Sequence, residues 1–300
     1  MNTFRDDRAS GSATIGAAFL EELRRWSASD ASRDPAALKL SLLAWLRAAQ
    51  AARPSMALVH QFAARALDVV ETGIARGDTP AAIRGHLETS CDTEARDLEA
   101  ATRAVARTAV ELLTESGAWL ATLSNSAAVR DALIEAQRAG REPRVMLGEG
   151  RPGNEGRQMA AALARHGIPV WLVVDAALPL LISQARMVWF GADAVTERGV
   201  VNKVGSFAAA LAAREHSVSV YALASRRKFI PAATGALRIA EMPAEEVWDA
   251  PPAGVKPRNV YFELVPLSLL RGVVVEDLVL PPGEAMQLAQ ERPLPGVLAA

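Results

Sequence analysis

Apolar residues recur at helical spacing from about Gly16 to Ser116. In Pro35–Gln50 the side chains Leu38, Leu42, Trp45, Leu46 and Ala49 fall on one stripe, the pattern of a helix with one buried face. Asp34 followed by Pro35 reads as a cap and a first-turn proline. A second helix is predicted over Pro54–Arg76, stopped by Gly77-Asp78. A third starts near Thr79-Pro80 and runs towards Leu113. No strand pattern interrupts them, so residues 12–116 read as an all-helical domain.

The period changes after Gly117. Short apolar runs appear at Ala118–Leu123, Arg144–Glu149, Pro169–Val174, Met187–Ala192 and Val218–Leu223. Amphipathic stretches such as Gly156–His166 and Lys203–His216 lie between them. Alternating strand and helix with β-branched runs predicts an α/β domain over residues 117–300, built on a parallel sheet covered on both faces. Ligands of such sheets bind beyond the carboxyl ends of the strands. Ser124, the Glu149-Gly150-Arg151 run, Asp175, Asp193 and the Ser225–Lys228 run all fall just past a predicted strand.

Composition narrows the partners. The 300 residues carry a net charge of −1, which gives no bulk attraction for nucleic acid or an anionic membrane. No apolar run reaches the ~18 residues of a membrane helix, and the first residues lack the apolar core of a secretory signal. The expectation is a soluble cytoplasmic protein. A single cysteine, Cys91, excludes an internal disulfide, and the four histidines lack ligand spacing, so no metal is expected. No Gly-x-Gly-x-x-Gly or Walker sequence calls for a dinucleotide or a P-loop cofactor.

The strand ends carry groups that bind oxyanions. Arg151 offers a bidentate fork. Asn202 and Lys203 stand where the helix Lys203–His216 is predicted to begin, and Lys228 closes a basic run. Gly153 and Gly156 leave backbone open to a ligand. Asp193 suits the sugar end of such a ligand, where it can bind hydroxyls or act as acid or base, and Glu263 is a second carboxylate candidate. Each has a plainer reading taken alone. Asp193 reads as a turn residue, Ser124 as a helix cap, Arg151 as half of a surface ion pair and Arg226-Arg227-Lys228 as a solvated loop. Their shared position at one sheet edge favours a site.

Gly191–Phe229 resembles the signature of the proteins related to the alpha, beta and delta subunits of eukaryotic translation initiation factor 2B. That family includes methylthioribose-1-phosphate and ribose-1,5-bisphosphate isomerases. Gly148–Leu178 is similar to its Glu-x-Arg-Pro segment, Arg53–Leu67 to its helical segment and Asn259–Pro282 to its closing segment. The resemblance implies an N-terminal helical domain, a Rossmann-like C-terminal domain, a sugar-phosphate pocket between them and a homodimer. It places Asp193 at the isomerases' acid/base position, and Arg151, Asn202, Lys203 and Lys228 at phosphate or hydroxyl contacts. Glu263 matches the acid of the closing motif. Two departures stand out. The isomerases' catalytic cysteine is Ser124 here, a far poorer base. Their Arg-Gly phosphate motif is replaced by Arg53-Pro54-Ser55-Met56, leaving Arg53 as the candidate contact. Two functions follow from the resemblance: an aldose–ketose isomerase acting on a phosphorylated pentose, or a non-catalytic sensor of a sugar phosphate or nucleotide that binds a protein partner.

Overall fold

A computed structural model describes residues 4–7, 10–232 and 237–292; the last residues of the expected second domain, 293–300, lie outside them. Four helices come first: α1 (Ser12–Ser29), α2 (Pro35–Ala52), α3 (Ala57–Arg76) and α4 (Pro80–Val110). Their ends follow from local chemistry. The Asp34 carboxylate accepts from the Ala37 N–H at 2.8 Å, and Thr79 accepts from Ala82, each ahead of a first-turn proline. Gly77 closes α3 in the left-handed conformation, at φ 77°. The predicted helix over Pro54–Arg76 starts three residues later than expected, because Arg53–Met56 forms a turn instead.

The α/β part follows as β1 (Trp119–Leu123), α5 (Ala127–Arg138), β2 (Arg144–Gly148), α6 (Glu155–Ala164), β3 (Val170–Val173), the short α7 (Leu178–Leu181) and β4 (Met187–Phe190). Next are β5 (Ala194–Thr196), β6 (Gly199–Lys203), α8 (Ser206–Glu215), β7 (Ser219–Leu223), β8 (Phe262–Val265), β9 (Gly272–Val274), β10 (Val279–Leu280) and α9 (Pro282–Gln290). The main sheet runs β10-β9-β7-β4-β1-β2-β3, and every neighbour pair but β9–β10 is parallel. The order reverses at β1: β2 and β3 build outward on one side, β4 and β7 on the other. A topological switch point therefore lies between the carboxyl ends of β1 and β4.

A second sheet was not legible in the pattern. β5, β6 and β8 form a small antiparallel sheet, with Asn202 opposite Glu263 and Lys203 opposite Phe262. Asn202 and Lys203 therefore end a strand, and the helix predicted from Lys203 starts only at Ser206.

Three cores hold these layers. Phe4, Phe19, Leu23, Leu42 and Phe62 fill the helical one. One face of the sheet packs on α7, α8 and α9 through Leu178, Ala209, Ala213 and Ala285. The other face packs on α5, α6 and the end of α4, through Val129, Leu133, Met159, Val105 and Ala109. α4 thus serves two cores, with its first turns in the helical region and its last turns against the sheet.

Candidate functional site

A cleft opens at the switch point. The turn after β1 (Leu123–Ala127) forms one wall and the turn after β4 (Gly191–Asp193) another. Asn202 and Lys203 at the end of β6, with Tyr261 and Phe262, close a third side. Glu155, Lys228 and Met56 reach in from α6, the turn after β7 and the start of α3. Ser10–Ala13 of the N-terminal segment also line it. The enclosed volume is about 40 Å³, room for a few waters.

Close backbone approach builds these walls. A Cβ at Gly191 would stand 2.6 Å from the Ser126 side chain, so only glycine lets the β4 turn reach the α5 cap. A Cβ at Gly156 would lie 2.1 Å from the Gly148 carbonyl oxygen. Gly156 therefore serves the docking of α6 on the end of β2 rather than a ligand. Ser124 takes a left-handed backbone at φ 67°, a costly conformation for a residue with a side chain, and it does so at the end of β1.

The cleft concentrates buried charge. Asp193 is 7 % exposed, and its backbone is fixed by its own N–H to Val201 and by the Ala57 N–H to its carbonyl. Burial pushes its carboxyl up to about 6, against the pull of Lys228, Lys203 and Arg53; the charge of Glu155 adds to the rise. Lys228 donates to the Ala192 carbonyl at 2.7 Å, and burial lowers its ammonium to about 8 despite Asp193. Lys203 pairs with Glu155 at 2.8 Å, and its Nζ stands 4.4 Å from the centre of the Tyr261 ring. The Asn202 amide donates to Ser206 Oγ at 2.8 Å. Ser124 Oγ donates to Glu155 Oε1 at 3.2 Å.

Of the eight residues singled out by sequence, Ser124, Asp193, Asn202, Lys203 and Lys228 line the cleft together. Three do not. Arg151 is exposed on the loop after β2, where Asp175 accepts from the Gly150 and Arg151 backbone N–H groups. Glu263 caps α8, accepting from the Phe207 N–H at 2.7 Å. Arg53 is buried outside the cleft lining and donates to the Phe4 and Asp7 carbonyls, while its charge acts on Asp193. The basic run separates by partner. Arg226 pairs with Glu276 and Asp277, Arg227 with Glu94 and Asp97, and Lys228 alone turns inward.

Sequence reasoning missed Glu155 and Tyr261. Glu155 was visible by the strand-end rule, since it opens the helix behind β2. Cys91 is no substitute for a cleft thiol. It sits in the helical core, and burial pushes its thiol up to about 12. Among the described residues, no group of three His, Cys, Asp or Glu side chains converges as a metal site, and no helix is long and apolar enough to cross a membrane.

Comparison with known proteins yields consistent matches. A sequence model described as the Initiation factor 2 subunit family matches residues 8–282. A Pyrococcus furiosus protein named as eIF-2B subunit 2-like is 34 % identical over 187 residues, 61 % of this chain and 65 % of that one. A ribose 1,5-bisphosphate isomerase of Methanocaldococcus jannaschii is 33 % identical over 182 residues, 59 % of each chain. These alignments span less than two thirds of either relative. The crystal structure of a translation initiation factor eIF-2B from Pyrococcus horikoshii OT3 superposes with a TM-score of 0.80 at 24 % identity, covering 95 % of this chain and 96 % of that one. It shares the fold.

Proposed function

The chain belongs to the initiation factor 2 subunit family, and from that membership we propose that the β1–β4 cleft binds a phosphorylated pentose and converts an aldose 1-phosphate into the ketose 1-phosphate. The observation that carries this reading is Asp193: a carboxyl enclosed at the switch point, raised to about 6 and faced by Lys203 and Lys228. A group with that value is a competent general acid near neutral pH. It hands a proton to the ring oxygen, which opens a sugar whose 1-phosphate blocks the ordinary route to an aldehyde. Lys228 and the N–H groups at the start of α5 supply positive potential for the phosphate. Asn202 and Lys203 take sugar hydroxyls.

A second reading, a non-catalytic sensor of a sugar phosphate or nucleotide, has its own support. By the resemblance Ser124 stands at the isomerases' cysteine position, and its hydroxyl is tied to Glu155. The Ser12 hydroxyl donates to the Ala192 carbonyl at 3.1 Å and ties the Ser10–Ala13 wall to the turn after β4. Phosphorus NMR with a panel of aldose 1-phosphates separates the two. A new ketose-phosphate signal supports the isomerase. Line broadening without conversion supports the sensor, and no change on any sugar sinks the pocket assignment. The same family reading makes the chain a homodimer. The exposed apolar edge around β3, with Trp171, Leu172, Val174 and Leu180, supports it, and light scattering showing twice the 31.9 kDa chain mass checks it.

A further inference from the structure

We propose that Glu155 is a catalytic residue of this cleft, the base that removes the C2 proton of the sugar, in the place where Ser124 cannot serve. The inference rests on the isomerase reading above. Three observations carry it. First, Ser124 is committed: its hydroxyl donates to Glu155 Oε1, so the proton acceptor on that wall is the carboxylate and not the serine. Second, Glu155 lines the cleft and is 4 % exposed, yet Oε2 has no hydrogen-bond partner among the described residues; it packs against the backbone of Gly150, where even a Cβ would stand 3.2 Å from it. A buried carboxylate oxygen without a donor is costly, and proteins retain such groups where chemistry uses them. Third, the Lys203 ammonium at 2.8 Å offsets the carboxylate's charge inside the wall while Asp193 stands close enough for the two carboxylates to feel each other. Two carboxyl groups in unlike surroundings divide into an acid and a base.

The proton balance closes. Asp193 gives its proton to the ring oxygen as the bond from C1 to that oxygen breaks. Glu155 takes the C2 proton, and the C1–C2 double bond forms and discharges the cation at C1. The C2 hydroxyl then returns a proton to Asp193 and becomes the ketone, while C1 takes the proton held by Glu155. Both carboxyl groups end as they began, the phosphate never leaves C1, and no oxidant or reductant is needed.

The test is steady-state kinetics on ribose 1-phosphate and ribose 1,5-bisphosphate with wild type, E155Q, E155D and S124A, each checked by circular dichroism. E155Q is expected to lower kcat by about 10²–10⁴-fold with KM within about threefold, the size of a lost general base. E155D keeps the charge and the Lys203 partner but withdraws the carboxylate by one methylene; it should fold normally and lose at least about tenfold in kcat. S124A should stay within about tenfold of wild type, since the serine only steadies Glu155. Full turnover by E155D or E155Q overturns the assignment while leaving the isomerase intact. A loss in S124A equal to that in E155Q overturns it in favour of the serine. A wild type inert on both sugars removes the isomerase reading and the base with it. If E155Q fails to fold, E155D decides alone.

Discussion

Around Leu42 and Phe19 the interior of the helical region is apolar, with Phe4, Phe19 and Trp45 in ring contact at centroid distances of 5.3–6.2 Å. At the carboxyl ends of β1 and β4 the side chains are as buried, but they are Glu155, Asp193, Asn202, Lys203 and Lys228. The first region repays its ordering by removing hydrocarbon from water, about 1.5–3 kcal/mol for each large side chain. The second buries charges whose desolvation exceeds or nearly cancels their attraction. A fold that needed only stability would fill that floor with apolar residues. The contrast teaches that stability is gained in the apolar core, while the cleft is held against its own electrostatic cost.

The largest effect expected from breaking this contrast is on turnover. Asp193→Asn keeps the shape and removes the acid, so it should lower kcat/KM for an aldose 1-phosphate by about 10²–10⁴-fold. Circular dichroism should show an unchanged fold. Full activity in that variant would end the assignment of Asp193. The opposite signature belongs to Leu42→Ala in the helical core. It should cost about 2–5 kcal/mol of stability in urea titration while leaving KM and kcat unaltered below the melting range. A core substitution that changed KM at constant fold would mean the two regions are not separable.

The pH dependence of stability sharpens the contrast next. An aspartate ordinarily titrates at 3.8 and Asp193 at about 6. Between those values the folded chain keeps a proton that the unfolded chain has released, so stability falls as pH rises through this window. Lys228 is lowered to about 8 from 10.5. Between those values the unfolded chain holds the proton that the folded chain lacks, so stability rises again. Each limb is worth roughly 3 kcal/mol at about 1.4 kcal/mol per pKa unit. Urea midpoints across pH should therefore show a trough between about 6 and 8. Asp193→Asn should flatten the acid limb and Lys228→Met the alkaline one. Leu42→Ala should lower the whole curve and leave its shape alone. A wild-type curve with no trough would show that the cleft is wetter than its burial implies.

What the sequence displayed and what it hid follow the same division. The main sheet was legible because its strands are apolar on both faces, and runs such as Met187–Phe190 need no partner to be read. Ser124 and Asp193 were legible because the carboxyl-end rule depends on chain order alone. Asn202 and Lys203 read as a helix start because β6 ends in these two polar residues, with only Val204 and Gly205 before α8 begins. Glu263 and Arg151 share motifs with cleft residues, yet one caps α8 and the other faces solvent. Side-chain direction at the end of a strand is set by tertiary packing, which a motif does not encode. Glu155 was passed over because a glutamate at a helix start is an ordinary dipole partner. Its burial and its lysine appear only once α6 docks on β2.

The smallest expected effect is also the most discriminating, because it applies one substitution to both regions. Asp34 caps α2 in the helical region, and Ser126 caps α5 at the cleft, accepting from the Val129 N–H at 3.4 Å. Asp34→Ala and Ser126→Ala remove the same kind of bond and should each cost about 1 kcal/mol of stability. Only Ser126 lines the cleft, pressed against Gly191 beside the α5 N–H groups that we assign to the phosphate. Loss of its hydroxyl loosens that first turn as well as shortening the wall. Ser126→Ala should therefore raise KM for an aldose 1-phosphate several-fold, about 1 kcal/mol of binding, while Asp34→Ala leaves KM untouched. Equal KM values for the two variants would place the phosphate elsewhere in the cleft, with Lys228 the first position to probe. Unequal values would tie the start of α5 to the ligand by a difference that stability alone cannot produce.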